Sequence, residues 1–303
     1  MATILINAVG LFVIIFFGYL LKRLNLLSKA DGTTLSVIIL TITLPATIIV
    51  NFASLQIKSS LFLLIFLGFG LSILQVFVSW LLTKKEAPIK QEFMMYMASG
   101  FNIGNFTLPF VQSFLPIGIP LISMFDLGNS IMLAGGTTVL VDHLVGKNQR
   151  FDLRKVLWKL FRSIPYTAYL VMLLLRVGSI ELPESLLTVL QPIASANTFL
   201  SMFMIGLFLE LRLPKSAQRI VLQSLVLRYG IGLGLVALFL FLPLPQLVKL
   251  VLCLLAVAPI ATFNVINAVA AGVEEEIVGF CSSVSFLLSL GLMTVILLLF
   301  GGI

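Results

Sequence analysis

Charge is scarce in this sequence: Asp, Glu, Lys and Arg together fill 10% of the 303 positions, against roughly a quarter in a soluble domain. Apolar residues fill 60% of them instead. A soluble fold has no interior large enough to hide that much apolar surface, so a water-soluble globular protein is excluded. Histidine occurs once, as His143, and cysteine twice, as Cys253 and Cys281. An intramembrane hydrolase needs a nucleophile with a positioned base, or a metal cluster. One histidine at the end of an apolar run does not provide either, and Asp126 has no second carboxylate near it in an apolar run to form a dyad. No cofactor or metal is implied. Both cysteines fall in apolar runs, where cysteine packs as a small hydrophobe, so they carry no information on redox compartment.

The few charges punctuate the chain, since a spanning helix needs about 20 residues nearly free of them. Charge-free runs cover 1–21, 32–57, 59–83, 93–125, 185–209, 229–248, 250–273 and 277–303, with a shorter one at 163–175 flanked by Arg162 and Arg176. The run 93–125 is too long for one helix and too short for two, so its second helix continues past Asp126 toward Asp142. Ten helices are predicted, near 3–21, 33–52, 61–82, 93–115, 119–141, 164–178, 186–209, 219–242, 247–271 and 277–301. The first has Lys22 and Arg23 after its apolar run and no basic residues before it, unlike a secretory signal. It is expected to remain in the mature protein. Loops after odd-numbered helices hold 15 of the 19 Lys and Arg residues, and cytoplasmic loops carry that excess. A multi-pass protein of the cell membrane with both termini outside is therefore expected. The net charge of +7 is a topology signal, with membrane lipids and no nucleic acid as the expected surroundings.

The most basic stretch, from Lys147 to Arg162, lies mid-chain and places Leu153, Val156, Leu157, Leu160 and Phe161 at helical spacing among Arg154, Lys155, Lys159 and Arg162. This pattern suits an amphipathic helix on the anionic cytoplasmic leaflet; a solvated linker is the plainer reading. Either way, 146–163 divides the chain into two five-helix halves, 1–145 and 164–303. Phe-Asn-Ile-Gly-Asn at 101–105 is answered by Phe-Asn-Val-Ile-Asn at 263–267, each in the fourth helix of its half. Pro45 and Pro192 also take similar places, as expected packing kinks. An odd number of helices per half inserts the second upside down, the inverted repeat common in secondary transporters.

The fourth helix contains Gly100, Gly104 and Pro109, and the ninth Pro259, so both are expected to break or kink near their centres. Opened backbone at membrane depth survives only where protein, water or a ligand satisfies it. If the two breaks cross, the N-terminal ends of the second half-helices converge, each with about half a positive charge. A carboxylate fits there without a metal. Asn102, Asn105, Asn264 and Asn267 offer donors and acceptors for it; alternatively, Asn and Pro merely join two kinked helices. Two ionisable residues fall within spans, Asp126 and Arg228. Asp126 is either a proton or cation coupling site, with Asn129 and Ser130 beside it, or the partner of Arg228 in a structural ion pair. It also lies near enough to the outer surface for partial hydration. Asn51, Gln191 and Asn197 are candidates for the solute path, with a position at the lipid interface equally open to Asn51, and Glu274, Glu275 and Glu276 read as a solvated turn.

Several stretches together resemble the auxin efflux carrier family of transporters: Gly18-Tyr19-Leu20-Leu21-Lys22, Leu44-Pro45-Ala46, the Asn-Ile-Gly-Asn stretch with Pro109, and Ala258-Pro259 through Asn267. The resemblance spans nearly the whole chain and implies the fold of bile-acid sodium symporters, with helices 1, 2, 6 and 7 as scaffold and helices 3–5 and 8–10 as transport domain. It further implies an elevator-like shift of the transport domain and a homodimer joined through the scaffold. Asn102, Asn105, Pro109, Pro259 and Asn267 match the family's substrate-contacting places at the crossover. Unlike the plant exporters of the family, the chain has no long cytoplasmic loop between its halves. The expected activity is secondary transport of a small mono- or dicarboxylate, with H+ or Na+ as possible coupling ion. An ion channel, or a cation-coupled transporter of a non-carboxylate solute, is the alternative.

Overall fold

The structure, a computed structural model, describes residues 2–53, 55, 61–147, 152–212 and 217–300. Lys58, Arg150 and Lys215, which entered the charge count, lie outside the described residues, as do positions 148–151 of the basic linker and 301 of the last predicted helix. The described residues are helical with no strand among them.

The chain opens with α1 (Ala2–Arg23), ended by the charges of Lys22 and Arg23. Ser28 then starts a second span through a capping box with Asp31, which satisfies two otherwise orphaned backbone donors. This span runs as α2 (Lys29–Ile38), a π-turn (Ile39–Thr43) and α3 (Leu44–Phe52). Next come α4 (Phe62–Thr83), α5 (Pro88–Ala98), a non-helical stretch at 99–102, a second π-turn (Ile103–Thr107) and α6 (Leu108–Phe114). Each of these two π-turns is followed at once by Leu-Pro, at Leu44-Pro45 and Leu108-Pro109. A proline ring clashes with the carbonyl four residues back, and a widened turn ahead of it relieves the clash.

A tight turn leads into α7 (Ile119–Ile131), a third π-turn (Met132–Gly136) and α8 (Thr137–Leu144). The basic stretch forms α9 (Leu153–Arg162), N-capped by the Asp152 carboxylate, which accepts the Lys155 N–H. That bond holds the Asp152 carboxyl below the usual carboxylate range. At Ser163 the chain bends by 81° into α10 (Ile164–Val177). The second half continues as α11 (Glu184–Phe208), α12 (Gln218–Phe241), α13 (Gln246–Ala256), a non-helical stretch at 257–261, α14 (Thr262–Ala270) and α15 (Glu275–Leu299).

Among the described residues seven helical segments are long and apolar enough to cross a membrane, or eight when the bent pair α9–α10 counts as one. Large apolar side chains such as Ile6, Phe16, Phe66, Leu222 and Phe241 are exposed on their outer faces, an arrangement that lipid tolerates and water does not. The chain is a multi-pass, all-α membrane protein.

Close helix contacts follow small residues, as packing without a hydrophobic driving force requires. Gly18 of α1 and Gly206 of α11 lie face to face, so that a Cβ on either would strike the backbone of the other helix. Gly68 of α4 and Gly128 of α7 make the same kind of contact. α11 also packs along α2 and α3, and α10 along α3, while α5 lies against α4, α12 and α14.

Candidate solute site

The two non-helical stretches meet in the interior. α5 and α6 have 11 and 7 residues, and α13 and α14 have 11 and 9; at about 1.5 Å per residue none crosses a membrane core alone. In the first stretch Gly100 takes a left-handed φ of 68°, which a residue with a Cβ disfavours. The backbone groups freed by the two breaks are satisfied by a backbone bond between them and by side chains, chiefly those of Asn102, Asn129, Asn264 and Arg228. The Asn102 N–H donates to Pro259 O at 3.0 Å, and Asn102 Nδ2 donates to Ile260 O and Thr262 Oγ1, both at 3.2 Å. Asn264 Nδ2 donates back to Ser99 O at 2.8 Å and Tyr96 O at 3.1 Å. Asn129 clamps Phe101 on both sides, accepting its N–H at 3.2 Å and donating to its carbonyl at 3.0 Å.

Arg228 is buried, and its guanidinium reaches both breaks at once. It donates to Met97 O, Ser99 O and Gly100 O of the first and to Ala258 O and Pro259 O of the second, at 2.7–3.3 Å. These carbonyls lie at the C-terminal ends of α5 and α13, where the helix dipoles are negative. The ion pair of Arg228 with Asp126, one of the two sequence readings, is not formed. Asp126 instead accepts from Asn129 Nδ2 at 2.9 Å and from the Tyr169 hydroxyl at 3.2 Å. Asp126 is 7% exposed and lines the cleft described next.

The N-terminal ends of the second half-helices, at Ile103–Asn105 and Ala261–Phe263, border a cleft of about 520 Å³, including the space at its open mouth. Leu44, Asp126, Ser130, Tyr166 and Tyr169 also line it. Asn105 Oδ1 is buried there and has no protein hydrogen-bond partner. The cleft shares Leu40, Ser130, Leu133, Ser163, Pro165, Tyr166 and Phe263 with a wider one of about 1230 Å³, which runs out past Asn267 to Lys159 and Arg162 of α9. The candidate asparagines thus divide by surroundings. Asn102 and Asn264 spend their amide protons on the breaks, Asn102 and Asn105 line the first cleft, and Asn267 lines the wider one.

The prolines divide as well. Pro259 lies in the second break and its carbonyl is bonded from both Asn102 and Arg228. Pro109 does not make the first break, which lies upstream at 99–102; it follows the π-turn Ile103–Thr107, whose widening accommodates its ring at the start of α6. Its carbonyl accepts from Thr198 Oγ1 at 3.2 Å, and it lines neither cleft.

Residues 3–142, running from α1 through most of α8, match a family model described as membrane transport protein. Over these residues the chain is similar to the auxin efflux carrier family of membrane transport proteins. That family is one of transporters, not of enzymes. No curated protein matches the chain. Tyr169, Ser72 and Thr262 were not among the residues singled out from sequence. Tyr169 bonds Asp126, Ser72 bonds Asn129 and Thr262 bonds Asn102. A tyrosine in a short apolar run, Tyr169, gave the one available signal.

Proposed function

We propose that this chain is a secondary carrier of a small organic anion, a mono- or dicarboxylate, bound where its two interrupted helices meet. The observation that carries the reading is the pair of half-helix N-termini that border one cleft, with Asn105, whose amide N–H groups can donate to a carboxylate, beside them. First-turn amides of a helix have no carbonyl ahead of them and attract anions. Lys159 and Arg162 at the mouth of the wider cleft add attraction for an anionic solute. Asn105 and Asn267 are the residues that bind it, with Asn102, Asn264 and Pro259 holding the breaks open and Pro109 bracing α6 on α11.

In this reading each broken pair is one span, so the chain has ten spans in two inverted halves, 1–145 and 164–303. α1, α2–α3, α10 and α11 form the scaffold, and α4–α8 with α12–α15 form the transport domain, which shifts as an elevator. The scaffold is the dimer contact. The basic helix α9 lies at the cytoplasmic surface with both termini outside, and the clefts beside it make this an inward-facing state. Asp126 is the coupling site for H+ or Na+, and its bond to Tyr169 of α10 links transport domain to scaffold.

Counterflow in proteoliposomes tests the function. Saturable uptake of a labelled carboxylate, accelerated by unlabelled carboxylate inside, is expected. Flux that rises linearly with concentration and ignores internal solute would mean a channel.

A further inference from the structure

A second polar space lies away from the crossover and belongs to neither cleft described above. It measures about 860 Å³, including its open side, and sits between α3, α6 and α11. Amides of Asn51, Gln112 and Gln191 and hydroxyls of Ser113, Ser195 and Thr198 line it, with no ionisable side chain among its walls. Several of these groups bond within the protein, as Ser195 does to Gln191 O and Thr198 to Pro109 O, and a lining of amides and hydroxyls within helices this apolar suits water or a hydrogen-bonding solute beside them.

Its position relative to the crossover follows from the helices. The clefts on the α9 side touch Leu40 and Thr41, whereas the polar space touches Val50 and Asn51 of the same span. Ten residues of helix separate these contacts by about 15 Å along the axis. α6 gives the same order, since Asn105 in the turn before it faces the crossover cleft and Gln112 and Ser113 near its end face the polar space. The two spaces therefore approach the crossover from opposite membrane faces.

A hydrogen-bonded layer separates them. Gln112 Nε2 donates to Ala194 O at 2.9 Å, and Gln112 Oε1 accepts from Thr198 Oγ1 at 3.3 Å and from Asn197 Nδ2 at 3.4 Å. Behind it Thr43 Oγ1 donates to Asn197 Oδ1 at 3.0 Å, and Thr47 Oγ1 to Ala194 O at 3.2 Å. All three bonds of Gln112 join the helix after the first break to α11.

We propose that this polar space is the second mouth of the solute path, a vestibule for neutral hydrogen-bonding groups and their water, closed here by the Gln112 amide on α11. The proposal rests on the carrier reading above, because two mouths closed in turn are what alternating access requires. α6 cannot move along α11 without breaking all three Gln112 bonds. The uncharged lining means the vestibule admits solute without selecting its charge, and selection belongs to the crossover.

Thiol accessibility tests this without any solute. In a background carrying Cys253→Ala and Cys281→Ala, single variants Ser195→Cys, Ala134→Cys and Asn105→Cys are treated with a charged, membrane-impermeant methanethiosulfonate on whole cells and on inverted vesicles. Ser195→Cys is expected to react from one face and Ala134→Cys from the other. Adding Gln112→Ala is expected to speed reaction of Asn105→Cys from the Ser195 face by roughly tenfold, as the equilibrium shifts toward the opposite state. Thr198→Val, which removes one of the three bonds, gives the same direction should Gln112→Ala fail to fold. Reaction of Ser195→Cys and Ala134→Cys from a single face, or an unchanged Asn105→Cys rate in the folded gate variants, overturns the proposal. A failure of the solute site itself registers separately, as carboxylate counterflow indifferent to Asn105→Ala.

Discussion

The backbone N–H of Asn102, in the first interrupted helix, donates to the carbonyl of Pro259 in the second across 3.0 Å. Each interruption thus supplies a partner that the other lacks. Opened main chain at membrane depth costs several kcal/mol per unpaired group, so neither break is stable without its counterpart. The pair is one structural unit although 157 positions separate the two residues.

Arg228 completes that unit, with donors on carbonyls of both breaks. Arg228→Met strands several of these carbonyls at about 1–3 kcal/mol each, and is expected to lower the melting temperature sharply or abolish folding in detergent. Arg228→Lys keeps the charge but loses the planar fork that spans both breaks, so it should fall between parent and Arg228→Met. Equal melting temperatures for Arg228→Met and the parent would remove the guanidinium from its structural role.

Asn129 and Asn105 are expected to separate stability from binding. Asn129→Ala leaves both backbone groups of Phe101 without their side-chain partner, a loss of about 2–4 kcal/mol by thermal or denaturant unfolding. Asn105→Ala removes a buried oxygen with no protein partner, so its melting temperature without solute should stay at or above that of the parent.

The α4–α7 contact depends on missing side chains. A Cβ at Gly128 would strike the carbonyl of Ile65, whereas one at Gly70 meets nothing within 4 Å. Gly128→Ala should therefore cost about 1–3 kcal/mol through overpacking. Gly70→Ala, in the same pair of helices, should be neutral or stabilising by up to about 1 kcal/mol. Unfolding of both variants alongside the parent checks the contrast.

Asp126 accepts from Asn129 on its own helix and from Tyr169 on α10. Asp126→Asn keeps the shape and removes the titratable charge. It is expected to abolish uptake driven by a pH or sodium gradient while counterflow persists and the protein elutes as a folded species. Parent-like driven uptake in that variant would assign coupling elsewhere.

Much of this arrangement was legible in the chain, and the exceptions have physical reasons. The helix ends followed charge punctuation, and α9 followed its alternation of basic and apolar residues. Gly100 and Pro259 marked the breaks because their backbone preferences are written in the residue type. Of the three residues named for the first break, Gly100 lies in it, whereas Gly104 and Pro109 lie in the helical run that follows, since a proline that a helix accommodates and one that interrupts it look alike in sequence. The partners of Arg228 were hidden because carbonyl acceptors belong to every residue and leave no signature; a carboxylate, Asp126, was the only partner that sequence could suggest. Which asparagines hold the breaks and which line a cleft likewise depends on rotation about helices that pack only in three dimensions.

The central claim, that the meeting of the two breaks binds the solute, is tested most directly by carboxylate binding to purified protein. Thermal-shift titrations of parent, Asn105→Ala and Asn267→Ala against a panel of mono- and dicarboxylates should give a concentration-dependent rise for the parent. The rise should be absent or displaced to at least tenfold higher concentration, about 1.4 kcal/mol, in each variant. Identical titrations in all three proteins would contradict the claim.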